Sequence, residues 1–116
     1  MKNIEAIKAR YLKEPFQRKL GHLASDLARV HSFSENRANS KIVEDIVEES
    51  KFFIEWIAPE APFNLQVILS EIQLKLALLH RRLASGSRFS GEIKELARPA
   101  KAWSRQLIEF SGLLSA

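Results

Sequence analysis

The chain has 116 residues, 46% of them hydrophobic and 28% charged, with 18 Lys and Arg against 14 Asp and Glu. That is the size of one domain and the balance of a globular one, which excludes disorder over most of its length. It contains no cysteine, which excludes a disulfide scaffold, thiolate zinc sites, iron–sulfur clusters and cysteine nucleophiles.

Apolar residues recur at helical spacing along nearly the whole chain, and alternation with period two is absent. A first short helix is expected over residues 4–12, with Ile4, Ile7 and Tyr11 on one side. Pro15 then either starts a second helix or kinks a single long one, because a proline inside a helix removes a donor and clashes with the preceding turn. Phe16, Leu20, Leu23, Leu27 and Val30 form a seam of bundle type. The small residues Gly21, Ala24, Ser25 and Ala28 on the same helix favour close helix packing, and His22 between them reads as part of that packing.

Residues 32–40 are polar, and Ser32, Glu35, Asn36 and Asn39 are all plausible at the start of the next helix. That helix carries Ile42, Val43, Ile46, Val47, Phe53, Ile54 and Ile57 and stops at Pro59. The third carries Leu65, Leu69, Ile72, Leu76, Leu79 and Leu83. A loop over residues 85–90 leads to a last helix with Ile93, Leu96, Ala100, Trp103, Leu107, Phe110 and Leu114 in one stripe, and Gly112 is a natural stop near its end. Short connections make successive helices antiparallel neighbours. The expected fold is therefore all-α: one domain over residues 1–116, an antiparallel four-helix up-down bundle over 15–114 with an additional short N-terminal helix within 1–14.

Two helices hold more apolar residues than one seam needs. The third has Val67, Leu74 and Leu78 off its main stripe, besides Ile68, and the last has Ile108 and Leu113. A helix apolar on two faces is buried on two faces. Either the N-terminal helix covers the surplus, or a second copy of the chain does, giving a homodimer. In the helix that stops at Pro59, Phe52 and Trp56 stand four apart outside the seam. Such a pair packs on the N-terminal helix or anchors a protein partner.

The motifs of chemistry are missing. None of His22, His31 and His80 has an acidic residue three positions before it, and no HExxH occurs, so no metal is expected. Arg18-Lys19-Leu20-Gly21-His22 sets Arg and His at the wrong spacing for HEPN-type ribonucleases. No phosphate-cradling glycine loop and no GxSxG elbow occurs. No catalytic residue and no cofactor is expected, and the chain reads as no enzyme. Val67–Leu79 is the most apolar run but is broken by Ser70, Glu71, Gln73 and Lys75, so no membrane span is expected. The first residues lack the apolar stretch of a signal peptide, and the expected address is cytoplasmic.

Charge is unevenly spread. Residues 36–62 carry 3 basic and 6 acidic side chains, whereas residues 63–116 carry 8 basic and 4 acidic ones. Lys94, Arg98, Lys101 and Arg105 are spaced to share one face of the last helix, with Arg81, Arg82 and Arg88 just before them. Such a face is either solvated or contacts the phosphates of RNA or DNA, or an acidic partner. It lacks interleaved aromatics for base stacking.

Three phrases carry a resemblance. They are Leu23-Ala24-Ser25-Asp26-Leu27-Ala28-Arg29-Val30 with Ser32-Phe33-Ser34, then Glu48-Glu49-Ser50-Lys51-Phe52-Phe53-Ile54-Glu55-Trp56, and the closing Trp103-Ser104 with Ser111-Gly112-Leu113-Leu114. Together the chain resembles a group of small, uncharacterised, all-helical proteins of cyanobacteria. The resemblance implies a helical protein of a photosynthetic bacterium and carries over no functional residue. The expectation is a non-enzymatic accessory or adaptor protein, self-associating as a homodimer or binding another protein, with a small basic nucleic-acid-binding bundle as the alternative.

Overall fold

The structure, a computed structural model, describes residues 3–85 and 90–112, and within them the chain is helical with no strand. Asn3 opens α1 (Ile4–Lys13) by accepting a hydrogen bond from the Ala6 N–H, one of the donors a helix start leaves unpaired. Pro15 separates two helices rather than bending one. It sits in extended conformation just before α2 (Phe16–Phe33), where a missing N–H costs nothing. The expected seam of α2 is observed: Leu20, Leu23, Leu27 and Val30 are fully buried.

Between α2 and α3 (Ser40–Ile57), Asn36 caps a single 3-10 turn by accepting from the Ala38 N–H. Asn39 turns back instead, its side-chain amide donating to the Phe33 carbonyl. A second 3-10 turn over Ala58–Glu60 leads into α4 (Phe63–Ala84). Buried Lys19 on α2 is ion-paired with Glu60 of that turn, which anchors the connection to the body of the protein.

The last segment departs from expectation. A single helix through Ile93 and Leu107 does not form. The chain folds instead as α5 (Ser90–Ala97) and α6 (Ala100–Ser111), separated by Arg98 and Pro99. The cause is Pro99: it has no N–H to continue the ladder, and its ring disfavours helical geometry in the residue before it. Pro99 then opens α6, its carbonyl accepting from the Trp103 N–H. Gly112 ends α6 at φ 72°, the left-handed conformation that glycine adopts without strain. Leu113 and Leu114 lie outside the described residues.

Packing centres on α2, which lies against both α3 and α6, while α4 lies against α3 and α5. The α2–α6 contact is close because small residues face each other. Ala24, Ala100 and Ser104 are buried there, and the Ser104 hydroxyl donates to the Ala24 carbonyl at 2.6 Å. Ser25 and Ala28 are exposed. Ser104→Ala is expected to lower stability by about 1 kcal/mol, seen as a melting-temperature drop of about 4–6 °C by circular dichroism. The α1 helix is held by Tyr11, whose ring lies flat on Phe53 at 4.0 Å and whose hydroxyl donates to the Lys19 carbonyl at 2.7 Å.

Candidate functional site

One face of α4 looks inward. Leu65, Leu69, Ile72, Leu76 and Leu79 are at most 1% exposed. The opposite face is apolar too, but nothing among the described residues covers it: Phe63 is 80% exposed, Leu74 65%, Leu78 46% and Val67 44%. At 3.6 residues per turn these four lie within an arc of about 60°. The N-terminal helix does not cover them, because Tyr11 commits it to α2 and α3. Ile68 and Ile108 are partly buried against the core, and so account for the rest of the surplus within the described residues.

Beside this row runs a groove of about 790 Å³ between α3 and α4, with Ile54, Ala58 and Leu69 among its walls. Gln66 and Gln73 reach from α4 to the 3-10 turn and to α3, donating to the carbonyls of Ala58 (3.0 Å) and Lys51 (3.1 Å) respectively. The side-chain carbonyl of Gln73 is buried without a hydrogen-bond partner among the described residues. Leu74 borders both the groove and the exposed row, so the two make one continuous surface.

Phe52 and Trp56 stand elsewhere. Their rings lie 5.6 Å apart, and Trp56 also packs 5.9 Å from Tyr11 with the Lys8 ammonium over its face. Trp56 therefore closes the α1–α3 seam. Both side chains are half-buried.

The basic residues do not share a helix face. Lys94 is on α5, Arg98 lies in the turn after it, and Lys101 and Arg105 are exposed on α6, with the Pro99 break between the pairs. Arg98 bonds Glu95 at 2.6 Å, and Arg82 bonds Glu92 at 2.9 Å. Arg81 is exposed at the end of α4, and Arg88 lies outside the described residues.

A second concavity joins residues that no spacing in the sequence brings together. A cleft of about 330 Å³ opens between α1, α2 and α3, with His22, Asp26, Arg29 and Glu49 on its walls. His22 is exposed at this cleft rather than packed between helices. Asp26 is 2% exposed. Burial pushes its carboxyl up to about 7, and the charge of Glu49 pushes the same way, against the pull of Arg29. Burial raises the Tyr11 phenol as well. Among the described residues no group of three or more His, Cys, Asp and Glu is placed to hold a metal ion, and no helix is long and apolar enough to cross a membrane.

No protein-family model, curated protein or solved structure matches the chain.

Proposed function

We propose that this chain is a non-enzymatic interaction protein, an accessory or adaptor, that self-associates through the outer face of α4. The observation that carries the reading is the row Phe63, Val67, Leu74 and Leu78, left in solvent beside an apolar groove. Contiguous exposed apolar surface marks a place where something docks. The spacing favours a second copy. Phe63 and Val67 stand as far before the midpoint between Ser70 and Glu71 as Leu78 and Leu74 stand after it. Two α4 helices related by a two-fold axis at that point meet Phe63 to Leu78 and Val67 to Leu74, with Ser70 and Glu71 of each copy flanking the axis.

The magnitudes suit a reversible dimer. Covering the remaining exposed area of these four side chains is worth roughly 7–14 kcal/mol for two copies, against a cost of association of about 4–15 kcal/mol. The short connections after α2 and α3 also support an up-and-down course through α2, α3 and α4, with α5 and α6 together as the fourth leg.

Light scattering after size exclusion tests the reading. The expected result is a mass that rises with concentration from one chain to two, with no excess absorbance at 260 nm. A strict monomer over the whole range would sink it. A species rich in 260 nm absorbance and stripped by salt would support nucleic-acid binding by the basic residues of α4, α5 and α6 instead. The absence of native cysteine makes the register testable. Facing helices packed 8–10 Å apart put Cα atoms about 4–5 Å from each other, within disulfide reach. Ser70→Cys, next to the axis, is expected to cross-link under mild oxidation, whereas Lys94→Cys is not. A dimer in which Ser70→Cys fails to cross-link overturns the register and leaves self-association standing.

A further inference from the structure

The fold closes over a carboxylate oxygen that it leaves without a donor. One oxygen of Asp26 accepts from Arg29, and the other is buried with no hydrogen-bond partner among the described residues. A neutral carboxyl is tolerated in such a place, whereas an ionised one needs water or a donor. The charged and titratable groups on the cleft walls are Arg10, Tyr11 and Glu14 from α1, His22 and Arg29 from α2, and Glu49 from α3. Arg29 serves the first oxygen, and the charge of Glu49 works against ionisation. Arg10 and Glu14 carry opposite charges, so lifting α1 would remove no net charge from the cleft.

The wall that α1 supplies is the one most easily moved. Of its ten residues only Tyr11 is buried, whereas α2 buries seven. Besides Tyr11, the partly buried Ile7 and the Lys8 ammonium over Trp56 hold it to the body. Glu14 and Pro15 join it to α2 in extended conformation, so it can swing without breaking a helix. A helix this short has little stability of its own, and elements with few buried contacts open before the rest of a fold.

We propose that α1 is a strap over Asp26, closed in acid and lifted as the pH rises to neutrality. Lifting lets water reach the second oxygen and uncovers the rings of Phe53 and Trp56, against which Tyr11 packs. The closed form holds the Asp26 proton up to about pH 7, because of burial first and Glu49 second. The lifted form, hydrated, gives it up near the ordinary value of 3.8. Closing therefore takes up a proton between those values. The opening constant rises by up to about tenfold per pH unit from near pH 4 to 7 and levels off above 7. Tyr11 docks α1 on α2 and α3, away from the exposed row of α4, so the strap works in one copy or two.

Hydrogen exchange followed by NMR on the intact chain from pH 4 to 8 tests the strap, each amide rate being divided by its intrinsic rate. The amides of residues 8–13 are expected to open more readily than those of residues 20–30. Their opening constant is expected to rise at least about 30-fold between pH 4.5 and 7 and then to level. Asp26→Asn has no proton to lose there and is expected to cut the rise to under about threefold. Glu49→Gln is expected to make the rise smaller and to end it at lower pH, since Glu49 helps to hold the proton. His22→Gln is expected to leave it unchanged. Circular dichroism checks that each variant is folded. The proposal is overturned by α1 amides as well protected as those of α2, by a flat profile in the parent chain, or by a rise that survives in folded Asp26→Asn or disappears in folded His22→Gln.

Discussion

Leu74→Glu is expected to turn the dimer into a monomer without harming the fold. Leu74 is 65% exposed in the single chain and borders both the apolar row and the groove. In the two-fold arrangement it lies opposite Val67 of the other copy, so one substitution places two carboxylates in the interface. The lost apolar burial on both copies alone is worth about 2–3 kcal/mol, and desolvating the new charges adds to it. The dissociation constant is therefore expected to rise at least about 100-fold. The melting temperature at low protein concentration is expected to stay within about 2 °C, because the side chain supports nothing inside its own chain. Sedimentation velocity at matched concentrations reads the first quantity and circular dichroism the second. A variant that keeps its dimeric mass places the interface elsewhere.

Asp26→Asn is expected to stabilise the protein above neutral pH and to change little in acid. The carboxyl is raised from 3.8 to about 7, so the folded chain holds a proton that the unfolded chain gives up between those values. Stability from this group is complete below pH 3.8 and is lost as pH rises through 7. Full conversion of the shift is on the order of 4 kcal/mol, an upper figure for a buried carboxylate beside Glu49 and Arg29. Asparagine keeps an acceptor for Arg29 and carries no charge. Urea unfolding at pH 5 and pH 8 should show the variant gaining on the parent by roughly 2–4 kcal/mol at pH 8, and by markedly less at pH 5. Equal gains at both values would show that the Asp26 carboxyl stays ionised throughout.

Several features of the cleft were open to a closer reading of the sequence. Lys19 and Asp26 are seven residues apart, and both fall on the arc of α2 next to Leu23 and Val30. Charged residues on the edge of a core seam are buried unless they snorkel, and buried charges need partners. What no spacing within α2 could supply was the identity of those partners. Glu60 comes from the turn after α3, and Glu49 from the middle of α3. Pro99 is a different case. Its effect is local and legible, but the apolar stripe from Ile93 to Leu107 runs unbroken across it, since periodicity carries no record of a missing donor.

By itself the sequence determined what depends on neighbours along the chain: the helical character of the described residues, the buried seams of α2, α3 and α4, an interruption at Pro15, left open between a break and a kink, and the stop at Gly112. These follow from a 3.6-residue period, a missing N–H and a glycine φ, all set within a turn or two. The tertiary structure decided what depends on residues far apart. Tyr11 could stack on any apolar surface, and only its fit on Phe53 and the Lys19 carbonyl draws α1 away from α4. That choice leaves Phe63, Val67, Leu74 and Leu78 uncovered and opens the Asp26 cleft beneath α1. Period and composition show that a helix has two apolar faces. Which of them the chain can reach with its own side chains is a matter of packing in three dimensions.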